Sequence, residues 1–142
     1  MTGDDLPVIQ PLPAGMHILE NRPPGANSAK VDHVRDLLAG VDGLTEDELV
    51  RHLQAVLGDH EVPAELPADH DDDMDHIPAQ VRAACVHTER YGTRWSCVVT
   101  VPGRDADPPT VRYADGPACQ AGYTDARSLW GRAWDETPTV QP

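Results

Sequence analysis

The sequence predicts an α+β protein: an N-terminal extended arm and helical hairpin, an acidic linker, then a small antiparallel ββ(β)α unit. Three observations carry this. Fourteen prolines cluster so as to leave proline-free gaps at 25–62, 79–101 and 118–137, where regular structure can form. A nearly complete helix-start signal lies at residues 45–49. Val81–Thr88 and Arg94–Val101 alternate apolar and polar residues as half-buried strands do.

Residues 1–26 read as the arm. Leu6-Pro7, Pro11-Leu12-Pro13 and Arg22-Pro23-Pro24-Gly25 favour polyproline II and turns. Met16-His17-Ile18-Leu19 between them suits a short strand or a docking segment. The acidic start Met1-Thr2-Gly3-Asp4-Asp5 lacks the apolar stretch of a signal peptide.

Residues 27–58 predict the helical hairpin. Asn27 or Ser28 caps a helix running to about Ala39, with Val31, Val34, Leu37 and Leu38 on one face and Gly40 as its stop. In the second helix Thr45 and Glu48 form a capping box, and Leu44 and Leu49 a hydrophobic staple. Glu46 and Asp47 suit the positive end of its dipole. Leu49, Val50, Leu53, Val56 and Leu57 make the apolar stripe, and Gly58 ends it. Three acids in the first turn are the wrong side chains for the major groove, which excludes a DNA-reading helix-turn-helix.

Residues 59–78 carry many acids and no base, the pattern of a solvated spacer. Residues 79–142 form the second unit. Arg90-Tyr91-Gly92 suits a hairpin loop with a left-handed glycine, a register that sets Cys85 opposite Cys97 and His87 opposite Trp95. A third strand is predicted at Thr110–Ala114, and Thr124 is expected to cap a final helix through Trp134. Each unit is too small to bury a comfortable core by itself, so the hairpin is expected to pack on the sheet, or the chain to oligomerise.

The formal charge of −13 is unevenly placed. Residues 1–60 hold ten acids and four bases, 61–78 seven acids and no base, and 79–142 seven of each. The acidity argues against an envelope of DNA or anionic lipid, and no apolar run is long enough to span a membrane. Double-stranded DNA and membranes are therefore not expected partners. An odd cysteine count, three, does not suit a secreted disulfide framework, so the expected location is the cytoplasm. Arg in preference to Lys, with abundant Ala, Asp, Pro and Val, suggests a GC-rich genome, such as that of an actinobacterium or its phage.

Two clusters have metal-ligand chemistry. In Asp69-His70-Asp71-Asp72-Asp73-Met74-Asp75-His76, carboxylates fall at alternate positions as in a calcium loop. Met74 and Gln80, however, stand where that loop needs glycine and a bidentate glutamate. His70, Asp73 and His76 remain candidates for a transition metal. Cys85, His87, Cys97 and Cys119 offer a Cys₃His set, although they lack a C-x₂-C knuckle. His87-Thr88-Glu89 and Pro117-Ala118-Cys119 match part of the H-x-E…P-C-x-x-C pattern of zinc deaminases but lack its second cysteine. There is no nucleophile elbow, phosphate loop or dinucleotide fingerprint. The sequence therefore predicts neither an enzyme nor a resident cofactor.

All six aromatics lie between residues 91 and 134, in the 79–142 unit that also holds seven arginines. Arg with Trp and Tyr is the composition of interface hot spots, and it nominates Arg94, Trp95, Arg112, Tyr113, Trp130 and Arg132 as partner-binding residues. The leading expectation is a non-enzymatic interaction module, a phage or virion accessory protein, with a protein partner or a second copy of itself. The alternatives are an acidic DNA mimic, presenting Glu46, Asp47, Glu48 and the 69–75 run to a nucleic-acid-binding enzyme, and a small metal-binding protein.

Overall fold

Helix α1 spans Ala29–Leu37 in the computed structural model, which describes residues 11–21, 28–64, 78–102 and 109–128. Ser28 is its cap, with Oγ accepting from the Val31 amide at 3.2 Å. The helix stops as its glycine predicts. Gly40 takes a left-handed φ of 82°, a conformation that costs other residues a clash at Cβ.

Helix α2, Glu46–Leu57, starts at its capping box. The Glu48 carboxylate accepts from both the backbone amide of Thr45, at 2.9 Å, and its hydroxyl, at 2.6 Å. The two helices are tied at the far end of α1. His52 Nε2 donates to the Leu37 carbonyl at 2.7 Å, satisfying one of the acceptors that a helix C-terminus leaves open.

The antiparallel sheet has the order β1-β2-β3, formed by Ser96–Thr100, Thr110–Ala114 and Thr124–Asp125. Its register sets Cys97 against Tyr113 and Val99 against Val111 in the first pair, and Arg112 against Asp125 in the second. Helix α2 packs on β1. At one end of that contact Thr100 Oγ1 donates to Glu46 Oε1 at 2.7 Å. Two helices and a three-stranded antiparallel sheet make this an α+β fold.

Three sequence expectations for the second unit fail, the last of them at Thr124. No strand forms at 81–88. Residues Ala79–Arg82 make a 3-10 turn after Pro78, because Ala, Gln and Arg behind a fixed proline φ favour helical over extended backbone. The hairpin also closes in another register. Thr88 donates to the Tyr91 carbonyl, and His87 pairs with Gly92 rather than Trp95. Cys85 therefore does not face Cys97, whose partner is Tyr113. Gly92 is not among the glycines with positive φ; its role is close approach. A Cβ there would lie 2.9 Å from the Val86 carbonyl oxygen.

Thr124 belongs to β3 and caps no helix. Its hydroxyl donates to the Tyr113 carbonyl at 3.2 Å, and β3 lies against the edge of β2 that β1 leaves open. Asp125 supports that choice by meeting Arg112 across the pair at 3.2 Å. Residues 129–134 of the expected final helix lie outside the described residues. The arm segment 11–21 contains no strand, and Leu12, Met16 and Leu19 are exposed.

The core is made of small side chains. Val50 and Val56 of α2, Val98 of β1, Val111 and Ala114 of β2, and Ala83, Cys85 and Val86 are buried. The largest wholly buried side chains among the described residues are Pro109 and Cys85. Trp95 and Tyr91 are instead exposed, at 61% and 63%. Apolar burial scales with area, so among the described residues the fully buried side chains contribute little stability each.

Candidate metal centre

Three separate segments converge at one end of the fold. The first leaves α2: after Gly58 closes the helix, the Asp59 carbonyl accepts from the Cys85 amide at 2.8 Å. The second is the short hairpin, where the Val86 carbonyl accepts from the Thr93 amide at 2.9 Å and the Val86 amide donates to Thr93 Oγ1 at 3.0 Å. The third is the turn after β2, where the Pro117 carbonyl accepts from the amides of Gln120 and Ala121. That turn runs close to the end of α2, and a Cβ on Gly58 would lie 3.5 Å from the Cys119 amide nitrogen.

The convergence brings four ligand side chains together. His60, Cys85, His87 and Cys119 each offer one ligand atom, all within 4.8 Å of one another. The sulfurs of Cys85 and Cys119 are 3.7 Å apart. His87 Nε2 lies 3.6 Å from the first sulfur and 3.2 Å from the second. With zinc–sulfur bonds of about 2.3 Å and zinc–nitrogen bonds of about 2.0 Å, a tetrahedron has sulfur–sulfur edges of about 3.8 Å and sulfur–nitrogen edges of about 3.5 Å. The observed triangle is close to one face of that tetrahedron. A disulfide, by contrast, needs about 2.05 Å between sulfurs.

His60 is the fourth member of the cluster, and its hydrogen bond fixes its tautomer. A carbonyl only accepts, so Nδ1 of His60 carries the proton it donates to the Cys85 carbonyl at 3.1 Å. The lone pair available to a cation is then on Nε2. A backbone carbonyl holding the other ring nitrogen is the usual support of a metal-bound histidine. The two imidazoles are tilted at 52° with their centroids 4.9 Å apart. Cys85 is buried, and the other three residues of the cluster are exposed. The Cys119 thiol is pushed up from its ordinary value, by desolvation first and then by the Cys85 sulfur.

Asp59 steadies the segment that carries His60. Its Oδ2 accepts from His33 Nε2 of α1 at 2.8 Å and from the Glu61 amide at 3.2 Å. One residue thus binds α1 through its side chain and Cys85 through its carbonyl.

Of the sequence candidates, Cys85, His87 and Cys119 come together, while Cys97 sits on β1 against Tyr113. His70, Asp73 and His76 lie outside the described residues. His60 was missed, because it stands in the acidic stretch twenty-five residues before Cys85 and no short ligand motif reaches that far. The available signal was weak: a histidine two residues beyond a helix stop, on a turn that must fold back.

The nominated partner-binding residues divide. Arg94 and Trp95 are exposed, and Trp95 meets Tyr113 at a centroid distance of 6.3 Å. Arg112 is engaged with Asp125. Trp130 and Arg132 lie outside the described residues. Two of the three acids at the start of α2 are also engaged, Glu46 with Thr100 and Glu48 with Thr45. No helix among the described residues is long and apolar enough to cross a membrane. Comparison of the chain with protein-family models, curated proteins and solved structures gave no match.

Proposed function

We propose that this is a small zinc-binding protein whose metal is structural, held by His60, Cys85, His87 and Cys119. The observation that carries the reading is the near-tetrahedral spacing of two thiols and an imidazole, at 3.7, 3.6 and 3.2 Å. Two sulfur and two nitrogen ligands select zinc over the hard cations, which prefer oxygen. Four protein ligands fill a tetrahedral ion and leave no position for a reactive water, which favours a structural over a catalytic site. The near match to zinc deaminases gains nothing here, since His60 takes the position that such chemistry keeps open.

The weak core gives such an ion its purpose. The ligands come from the segment after α2, the hairpin and the turn after β2, so one ion would join the helical half to the sheet. In small domains, metal binding free energy becomes folding free energy. The protein is read as non-enzymatic and as residing in the cytoplasm, where thiols stay reduced and available to metal.

A second reading rests on the exposed Trp95, tilted toward Tyr113 and next in sequence to Arg94. It is the interaction-module reading, and the two are compatible: a metal-stapled scaffold holding an aromatic surface for a protein partner. The phage accessory role belongs to this second reading.

Thermal unfolding with and without a strong chelator tests the proposal. Metal removal should lower the melting temperature steeply, and added zinc should restore it. An unchanged transition would contradict a structural ion.

A further inference from the structure

We infer that Cys85 and Cys119 form a peroxide-sensitive thiol pair, whose oxidation to a disulfide releases the metal. This rests on the zinc-binding reading and adds a modification site to it. The geometry supplies three requirements. The sulfurs are 3.7 Å apart, so a closure of less than 2 Å reaches bonding distance. Cys119 is exposed, on a turn after β2, whereas Cys85 is buried on the hairpin. One sulfur is thus open to a small oxidant, and the other is sheltered beside it as the resolving thiol. A metal holds both as thiolates, the nucleophilic form.

The oxidant is a hydroperoxide, and the steps balance. Cys119 Sγ attacks one peroxide oxygen; the O–O bond breaks, a sulfenic acid forms and hydroxide leaves. Cys85 Sγ then attacks Cys119 Sγ; the S–S bond forms, the S–O bond breaks and a second hydroxide leaves. Two solvent protons convert the hydroxides to water. The two thiolates lose two electrons, which the peroxide gains. The ion keeps only His60 and His87, and two neutral imidazoles hold zinc far more weakly than the full set.

Cys97 is the internal control, because its neighbour in the sheet is Tyr113. The experiment uses the full chain loaded with zinc. Metal content is measured first, and hydrogen peroxide is then titrated in the presence of a metallochromic indicator. The expected result is one zinc released per disulfide, a mass lower by two hydrogens than the reduced metal-free chain, and a peptide map linking Cys85 to Cys119. Cys97→Ser should behave like the parent, Cys119→Ser should form no such link, and a thiol reductant should restore zinc binding. Zinc bound but not released by peroxide, a bond from either thiol to Cys97, or oxidation of Cys119 to sulfinic acid without a bond would overturn the thiol pair and leave the zinc reading intact. A reduced chain that takes up no zinc before oxidant is added would overturn both.

Discussion

The Nδ1 atom of His60 lies 3.1 Å from the carbonyl oxygen of Cys85, so the backbone of one proposed ligand orients the ring of another. Truncating either side chain should therefore empty the site. His60→Ala and Cys85→Ser are expected to weaken zinc binding by more than about 100-fold, beyond the usual range for supporting residues. Cys97→Ser should leave affinity unchanged, and competition with a chelator of known affinity measures all three.

The support from α1 should be measurable in the same assay. His33→Ala removes a part-buried partner of Asp59 at 2.8 Å. Zinc affinity is expected to fall about tenfold, the lower range for residues behind a ligand. The helical circular dichroism of the variant should stay close to that of the parent.

Gly92→Ala tests the hairpin without touching a ligand. Its Cβ would meet the Val86 carbonyl oxygen at 2.9 Å, and backbone on both sides leaves no flexible end to yield. Overpacking of this kind costs about 1–3 kcal/mol. Denaturant unfolding should show that loss, and the shift of Cys85 and His87 should weaken zinc binding with it.

The cap of α2 sets a pH dependence. Hydrogen bonds from the Thr45 hydroxyl and amide hold the Glu48 carboxyl below its ordinary value of 4.5. A depressed folded-state pKa contributes stability that is complete above the unfolded value and lost as pH falls through the folded one. Stability should therefore decline below about pH 4.5 more steeply in the parent than in Glu48→Gln. Melting at neutral pH should separately show that Thr45→Ala costs about 1 kcal/mol.

Local signals in the sequence were sufficient where the decisive forces are local. Ser28, Gly40, Thr45 and Glu48 act within four residues of themselves, and α1 and α2 were legible for that reason. The hairpin register was not. It depends on Thr88 closing on Tyr91 and on the close approach of Gly92 to Val86, which turn statistics do not resolve. Nor was Thr124 legible, because its strand exists only through the open edge of β2. The proposed site combines both cases. Cys85 and His87 share a visible C-x-H pair, whereas His60 joins them through the Asp59–Cys85 backbone bond and its own bond to the Cys85 carbonyl, tertiary contacts with no local signature.

Cobalt(II) titration of the reduced, metal-free chain, prepared without a histidine tag, tests the zinc centre most directly. Tetrahedral coordination by two thiolates and two imidazoles predicts intense d–d absorption and a thiolate-to-cobalt charge-transfer band. Both should saturate at one equivalent and be abolished by zinc. Weak octahedral absorption without the charge-transfer band, or no saturable binding, would contradict it.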